Sequence, residues 1–204
     1  KYIGDCVMAF WNAPLDDPDH AIHAVDAGLG MIRALVDLNR VLSLEAEAEG
    51  RVHVPLHVGV GVNTGDCVVG NMGSEFRFDY SALGDAVNLA SRLEGQTKVY
   101  GVPLLIGAST ARLVKDHHPV VELDSIRVKG KQDIETISTV LTDAEADVIA
   151  AHRALIADLA AGRLEPGDRR LDQLAITLPA LSAFYDGLRE RLATRGRSAN
   201  RQAD

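Results

Sequence analysis

Val52-His53-Val54-Pro55-Leu56-His57-Val58-Gly59-Val60-Gly61-Val62 carries an apolar residue at every second position. Side chains on an extended chain point alternately to opposite faces, so this run predicts a strand with one buried face. The other face holds His53, Pro55, His57, Gly59 and Gly61. Bare glycines within a strand mark a bend, or a place where a ligand or another backbone comes close.

Elements on both sides can be read outward from this strand. Before it, Val25, Leu29, Ile32, Leu35 and Val36 recur at helical spacing, and Asp19 can cap a helix that runs to about Leu44 or beyond. Earlier still, Lys1 to Phe10 reads as two short extended pieces around Gly4-Asp5, a turn signal that puts Asp5 at a hairpin tip. After it, Gly65 turns the chain into a strand at Cys67 to Val69, and an irregular segment through Tyr80 leads to a helix from Asp85 to Lys98. Short β-type runs follow at Pro103 to Ile106, Pro119 to Leu123, Ser125 to Lys129 and Ile134 to Leu141, with a helix near Ser109 to His117. The result is one α+β or α/β layer domain over residues 1–141.

Residues 142–204 differ in character, being rich in Ala, Leu, Arg and acidic residues with no strand signal. Ala144 to Ala161 reads as a helix, and Pro179 should start a new helix or kink one. Leu171, Leu174, Leu178, Leu181, Tyr185, Leu188 and Leu192 alternate in steps of three and four. Such a seam serves either a helical extension packed on its own domain or a dimerising helix.

Composition excludes several classes. With 204 residues, 47% hydrophobic and 25% charged, the chain can bury a sizeable core. A net charge of -8 and 4% aromatics argue against nucleic acid as a partner. No apolar run is long enough to span a bilayer. Cys6 and Cys67 have neither metal-knuckle nor redox-pair spacing, and two cysteines fit a reducing, cytoplasmic setting.

A few residues could carry chemistry. Asp5, at a hairpin tip, suits a Mg²⁺ ligand, since Mg²⁺ takes one or two carboxylates together with substrate phosphates and water. Asn88 and Arg92, four apart, share a helix face and could hydrogen-bond a sugar and a phosphoryl oxygen. Lys129, in Val128-Lys129-Gly130-Lys131, ends a strand where a cation could meet a polyphosphate. Taken singly, each also fits a plain turn or a solvated face. Gly59-Val60-Gly61 is no dinucleotide fingerprint, because it lies within a strand and no helix opens after it.

Together the blocks are specific. Lys1-Tyr2-Ile3-Gly4-Asp5, His57 to Gly65, Val69-Gly70-Asn71-Met72-Gly73-Ser74, Asp79 to Glu94 and Val128-Lys129-Gly130-Lys131 closely resemble, in order and spacing, the class III nucleotidyl cyclase catalytic domain in its bacterial adenylate cyclase form. The resemblance covers residues 1–141. It implies a ferredoxin-like α+β fold, a sheet with helices packed on one face, followed by a helical extension over 142–204. It also implies a head-to-tail homodimer whose active sites lie between subunits, with Asp5 and the Asn88/Arg92 pair coming from opposite chains.

The implied reaction is conversion of ATP to 3′,5′-cyclic AMP and pyrophosphate with two Mg²⁺ or Mn²⁺ ions per site. By resemblance Asp5 is the second of two metal-binding aspartates, Asn88 orients the ribose, Arg92 stabilises charge on the α-phosphoryl group, and Lys129 binds the triphosphate. Lys1 and Ser81 contact the base: adenine offers an N1 acceptor and an N6 donor, matching the ammonium donors of Lys1 and the acceptor of Ser81. A carboxylate at the Lys1 position would suit guanine, so Lys1 favours ATP over GTP. Many relatives carry Thr or Asp where Ser81 stands, so looser selectivity is expected. The alternatives are a guanylate cyclase and a non-catalytic, cyclase-like nucleotide-binding or dimerisation domain.

The family's first metal-binding aspartate and its strand lie upstream of the Lys1 hairpin. The expectation is therefore a piece of a longer protein whose upstream sensory or regulatory domains include, in some relatives, a membrane anchor. This piece alone is expected to be inactive.

Overall fold

The computed structural model describes residues 1–74, 77–127, 134–142 and 144–201. Strands β1 (Tyr2–Ile3) and β2 (Cys6–Val7) form the hairpin expected around Gly4-Asp5. Helix α1 (His20–Ala48) follows, then β3 (Val60–Val62), β4 (Val68–Ser74), β5 (Arg77–Leu83) and α2 (Asp85–Tyr100). The first part closes with β6 (Leu104–Gly107), α3 (Ala108–Val114), β7 (Val120–Arg127) and β8 (Ile134–Val140).

The central sheet has the order β3-β6-β8-β7, with β3 parallel to β6 and the other pairs antiparallel. Alternation along β6 shows how it is covered. Leu104 and Ile106 join Ala21 and Val25 of α1 and Val114 of α3 in one buried cluster. Leu105, between them, joins Leu93 and Tyr100 of α2 and the C-terminal helices in another. Helices expected on one face thus cover both, and the mixed α+β class stands.

The opening strand is shorter than its pattern. Only Val60–Val62 pairs with a neighbour, while Val52 and Val54 are 90% and 77% exposed. Among the described residues no main chain pairs with 52–59. The Asn39 amide serves that stretch, donating to the Leu56 carbonyl and accepting from the Leu56 N–H, both at 2.8 Å. Alternation fixes which face is apolar, but a strand also needs a partner backbone.

Two further differences have local causes. The segment expected to be irregular up to Tyr80 is the β4-β5 hairpin, in register from Val68 opposite Leu83 to Ser74 opposite Arg77. Its glycines and Asn71 hide any alternation, and cross-strand pairing supplies the order. The runs at Pro119 to Leu123 and Ser125 onward are one strand, β7, interrupted by a bulge between Glu122 and Asp124.

The C-terminal part folds as α4 (Ala146–Ala160), α5 (Arg169–Thr177), a 3-10 turn at Pro179–Leu181 and α6 (Ser182–Arg201). Asp168 caps α5 by accepting from the Arg170 N–H at 2.9 Å. Pro179 opens a new helical segment, as its missing N–H allows. Leu171, Leu174, Leu178, Leu181, Tyr185 and Leu188 are all buried in the cluster that holds Leu93, Leu105, Val121 and Ile137. At about 1.5–3 kcal/mol per fully buried Leu, this packing binds the extension firmly to the sheet. The seam therefore packs on its own domain and offers no free dimerising stripe. Among the described residues no helix is long and apolar enough to cross a membrane.

Candidate active site

Helix α2 places two of the expected residues. Leu93, Thr97 and Tyr100 are buried and Leu89 packs partly against the same core, so this stripe faces inward. Asn88 and Arg92 precede Leu89 and Leu93 by one residue each and are exposed, one turn apart on the outer face. The helix sits very close to β3. A Cβ at Gly61 would run into the backbone of Ala90 and Glu94, and one at Gly59 into the Thr97 hydroxyl. The glycine face of the opening strand thus admits the backbone of α2, not a ligand.

The β1-β2 hairpin carries Asp5 in its turn, exposed to solvent. Lys1, at its base, donates from Nζ to Oδ2 of Asp79 at 2.6 Å. Asp79 lies on β5, where Ser81 follows two residues later on the same strand face, buried and opposite Gly70. Phe10 and Tyr80 bring the two hairpins together, their rings 5.9 Å apart. Lys1 and Ser81 are thus gathered around β5, and Asp79 joins them. Sequence reading passed Asp79 over, although its i, i+2 spacing to Ser81 is a usable signal.

The side chains of Asp5, Asn88 and Arg92 take part in no hydrogen bond or ion pair among the described residues. Among those residues no cluster of three or more His, Cys, Asp or Glu could hold a metal ion. Asp5 alone still fits the modest demand of Mg²⁺ for protein carboxylates. Lys129 lies outside the described residues. A cavity of about 420 Å³ opens beside the start of α2, lined by Asn63, Asp66, Asp85, Ser109 and Glu135 among others, and contains none of the described site candidates.

Residues 1–140 match the family model described as the adenylate and guanylate cyclase catalytic domain. Adenylate cyclase 1 of Rhizobium meliloti (strain 1021) is 36% identical over 131 residues, 64% of this chain and 19% of that protein. The adenylate cyclase of Anabaena cylindrica is 37% identical over 141 residues, 67% of this chain and 26% of that protein. The chain thus spans about a quarter or less of these two relatives. Among solved structures, the adenylyl cyclase CyaB from P. aeruginosa superposes with a TM-score of 0.59 at 35% identity, covering 72% of each chain. The guanylyl cyclase Cya2 superposes with a TM-score of 0.54 at 33% identity, covering 66% of this chain and 64% of that one.

Proposed function

The chain belongs to the adenylate and guanylate cyclase catalytic domain family, and from that premise we propose that it forms the catalytic unit of an adenylate cyclase, converting ATP to 3′,5′-cyclic AMP and pyrophosphate. The observation that carries this reading is that Asp5, Asn88 and Arg92 are exposed and unpaired among the described residues, while Leu93, Thr97 and Tyr100 on the inner face of the helix that bears Asn88 and Arg92 are buried. Residues without structural employment, at the family's site positions, are there for a ligand.

Each residue has a role its chemistry suits. Lys1, steadied by Asp79, donates to N1 of adenine, and the Ser81 hydroxyl accepts from the N6 amine. Asn88 hydrogen-bonds the ribose so that its 3′-oxygen faces the α-phosphorus in line. Arg92 meets the charge that grows on the α-phosphoryl oxygens, where a planar guanidinium can bind two at once. Lys129 binds the triphosphate. Asp5 would hold Mg²⁺ or Mn²⁺; when bound, the metal neutralises triphosphate charge and lowers the pKa of the 3′-hydroxyl.

A complete site combines Asp5 of one chain with Asn88 and Arg92 of a second copy, as the family resemblance implies; among the described residues no hydrogen bond or ion pair joins them within one protomer. The greater length of the matched relatives supports further sensory or regulatory domains in the parent protein. One observation favours a second reading. The Asp79 carboxylate beside Lys1 could accept from the N1–H and 2-amino groups of guanine, which would make GTP a substrate.

The test is to incubate the full-length parent with ATP or GTP and Mg²⁺ or Mn²⁺, quantifying cyclic nucleotide and pyrophosphate. Cyclic AMP formation that Arg92→Ala abolishes is the expected result. Nucleotide binding without product would establish a non-catalytic domain instead.

A further inference from the structure

The C-terminal helices do more than cover the sheet: they grip the end of the helix that bears Asn88 and Arg92. Phe184 of α6 stacks on Tyr100, the last residue of α2, with ring centroids 6.3 Å apart and planes inclined by 15°. The Arg191 guanidinium lies over both rings, 5.2 Å from the Tyr100 centroid and 6.0 Å from that of Phe184. Its Nη1 donates to the Val99 carbonyl at 3.4 Å.

A cation at this point meets the negative end of the helix dipole and the faces of two aromatic rings, so three modest attractions converge on one side chain. Gly101, in the left-handed conformation at φ +64°, ends α2 and lets the first turn of α6 press against it; a Cβ there would lie 2.8 Å from that of Ala183. The Tyr100 hydroxyl then donates to Asp124 of β7 at 2.9 Å. The far end of α2 is thereby fixed to α6 and to the sheet at once.

We propose that the extension is a positioning element for α2, with Arg191 and Phe184 as positioning residues that set where Asn88 and Arg92 stand. Arg92 is eight residues before Tyr100, about 12 Å along a stiff helix, so a shift at the gripped end is carried to the outer face. Its catalytic consequence rests on the cyclase reading above. Catalytic geometry is sensitive on this scale, since a displacement of about 1 Å can cost roughly a hundredfold in rate. The extension thus offers a route by which a change in the C-terminal helices reaches the reacting atoms without touching substrate.

The test compares Arg191→Ala and Phe184→Leu with the wild-type full-length protein. Arg163→Ala serves as the control, because it removes a cation that pairs with Asp158 at 2.7 Å within the extension. Amide hydrogen exchange is read over α2 and β7, and cyclase kinetics with ATP are measured below the melting transition. In Arg191→Ala, exchange across α2 should quicken by about tenfold or more while β7 keeps its protection. The kcat should fall by about tenfold with KM within about twofold, and Arg191→Lys should recover part of the loss.

Unchanged exchange in α2, or a uniform loosening of the whole chain like any seen in Arg163→Ala, would overturn the proposal. If the wild-type protein makes no cyclic nucleotide, the exchange data alone decide the positioning role, and the cyclase reading is what has failed.

Discussion

Lys1 Nζ and Asp79 Oδ2 stand 2.6 Å apart, joining the start of the first hairpin to β5 two residues before Ser81. An ammonium held in this way has one direction set and its remaining donors free for a ligand. Asp79→Ala should leave cyclase activity in place but loosen the aim of Lys1. Asp79 is 61% exposed at its side chain, so the effect should be modest, under about tenfold in KM for ATP. The preference for ATP over GTP should change in the same variant, which paired kinetics with the two nucleotides will show. An unchanged ratio would remove Asp79 from base recognition.

Arg92→Ala should lower kcat by about a hundredfold to a thousandfold, the scale for losing one preorganised donor to transition-state charge. Asn88→Ala should also lower kcat, by misaligning the 3′-oxygen. Neither should shift the melting temperature appreciably, because both side chains are exposed and make no hydrogen bond or ion pair among the described residues. Calorimetry beside kinetics separates this outcome from simple unfolding.

What was legible in the sequence follows from where information is local. The Gly4-Asp5 turn, the Asp85 helix and the Pro179 break depend on neighbouring residues, and all three are present. Strand identity at 52–59 and 70–80 depends on a partner backbone, which periodicity cannot see. The first was overestimated for want of that partner and the second missed because Gly70, Asn71 and Gly73 mask its pairing. Among the candidate site residues, the shared outer face of Asn88 and Arg92 is readable from their four-residue spacing. The Lys1–Asp79 contact bridges 78 positions and had no signature except the alternation with Ser81.

Mixing two inactive variants tests the shared site. In a dimer of Asp5→Ala with Arg92→Ala, one of the two sites receives an intact Asp5 from one chain and an intact Arg92 from the other. A symmetric dimer mixed in equal amounts should recover about a quarter of wild-type turnover, because half of the dimers are mixed and each has one good site. Activity assays across mixing ratios give the answer. No recovery despite subunit exchange would mean that both residues act within a single chain.

His152 connects the extension to the sheet and should make its docking sensitive to acid. Its Nε2 lies 2.6 Å from the Glu122 carbonyl, which can only accept, so Nε2 carries the proton. Nδ1 then accepts from the Tyr185 hydroxyl at 2.8 Å. Burial pushes the imidazole pKa down, and the Arg153 charge adds to this against the raising effect of the Glu122 carbonyl. With the folded value below the unfolded value of about 6.5, the unfolded chain binds more protons in acid. The contribution is therefore complete above about pH 6.5 and falls away as pH drops towards the folded value. His23 acts in the opposite sense, since its hydrogen bond to Asp17 raises its pKa, and it is common to both proteins compared. The melting temperature of the wild type should thus decline more steeply than that of His152→Gln between about pH 7 and pH 5. Tyr185→Phe should cost about 1–3 kcal/mol at neutral pH by leaving Nδ1 buried without a donor. Parallel pH slopes in the wild type and His152→Gln would show that this histidine does not control the docking of the extension.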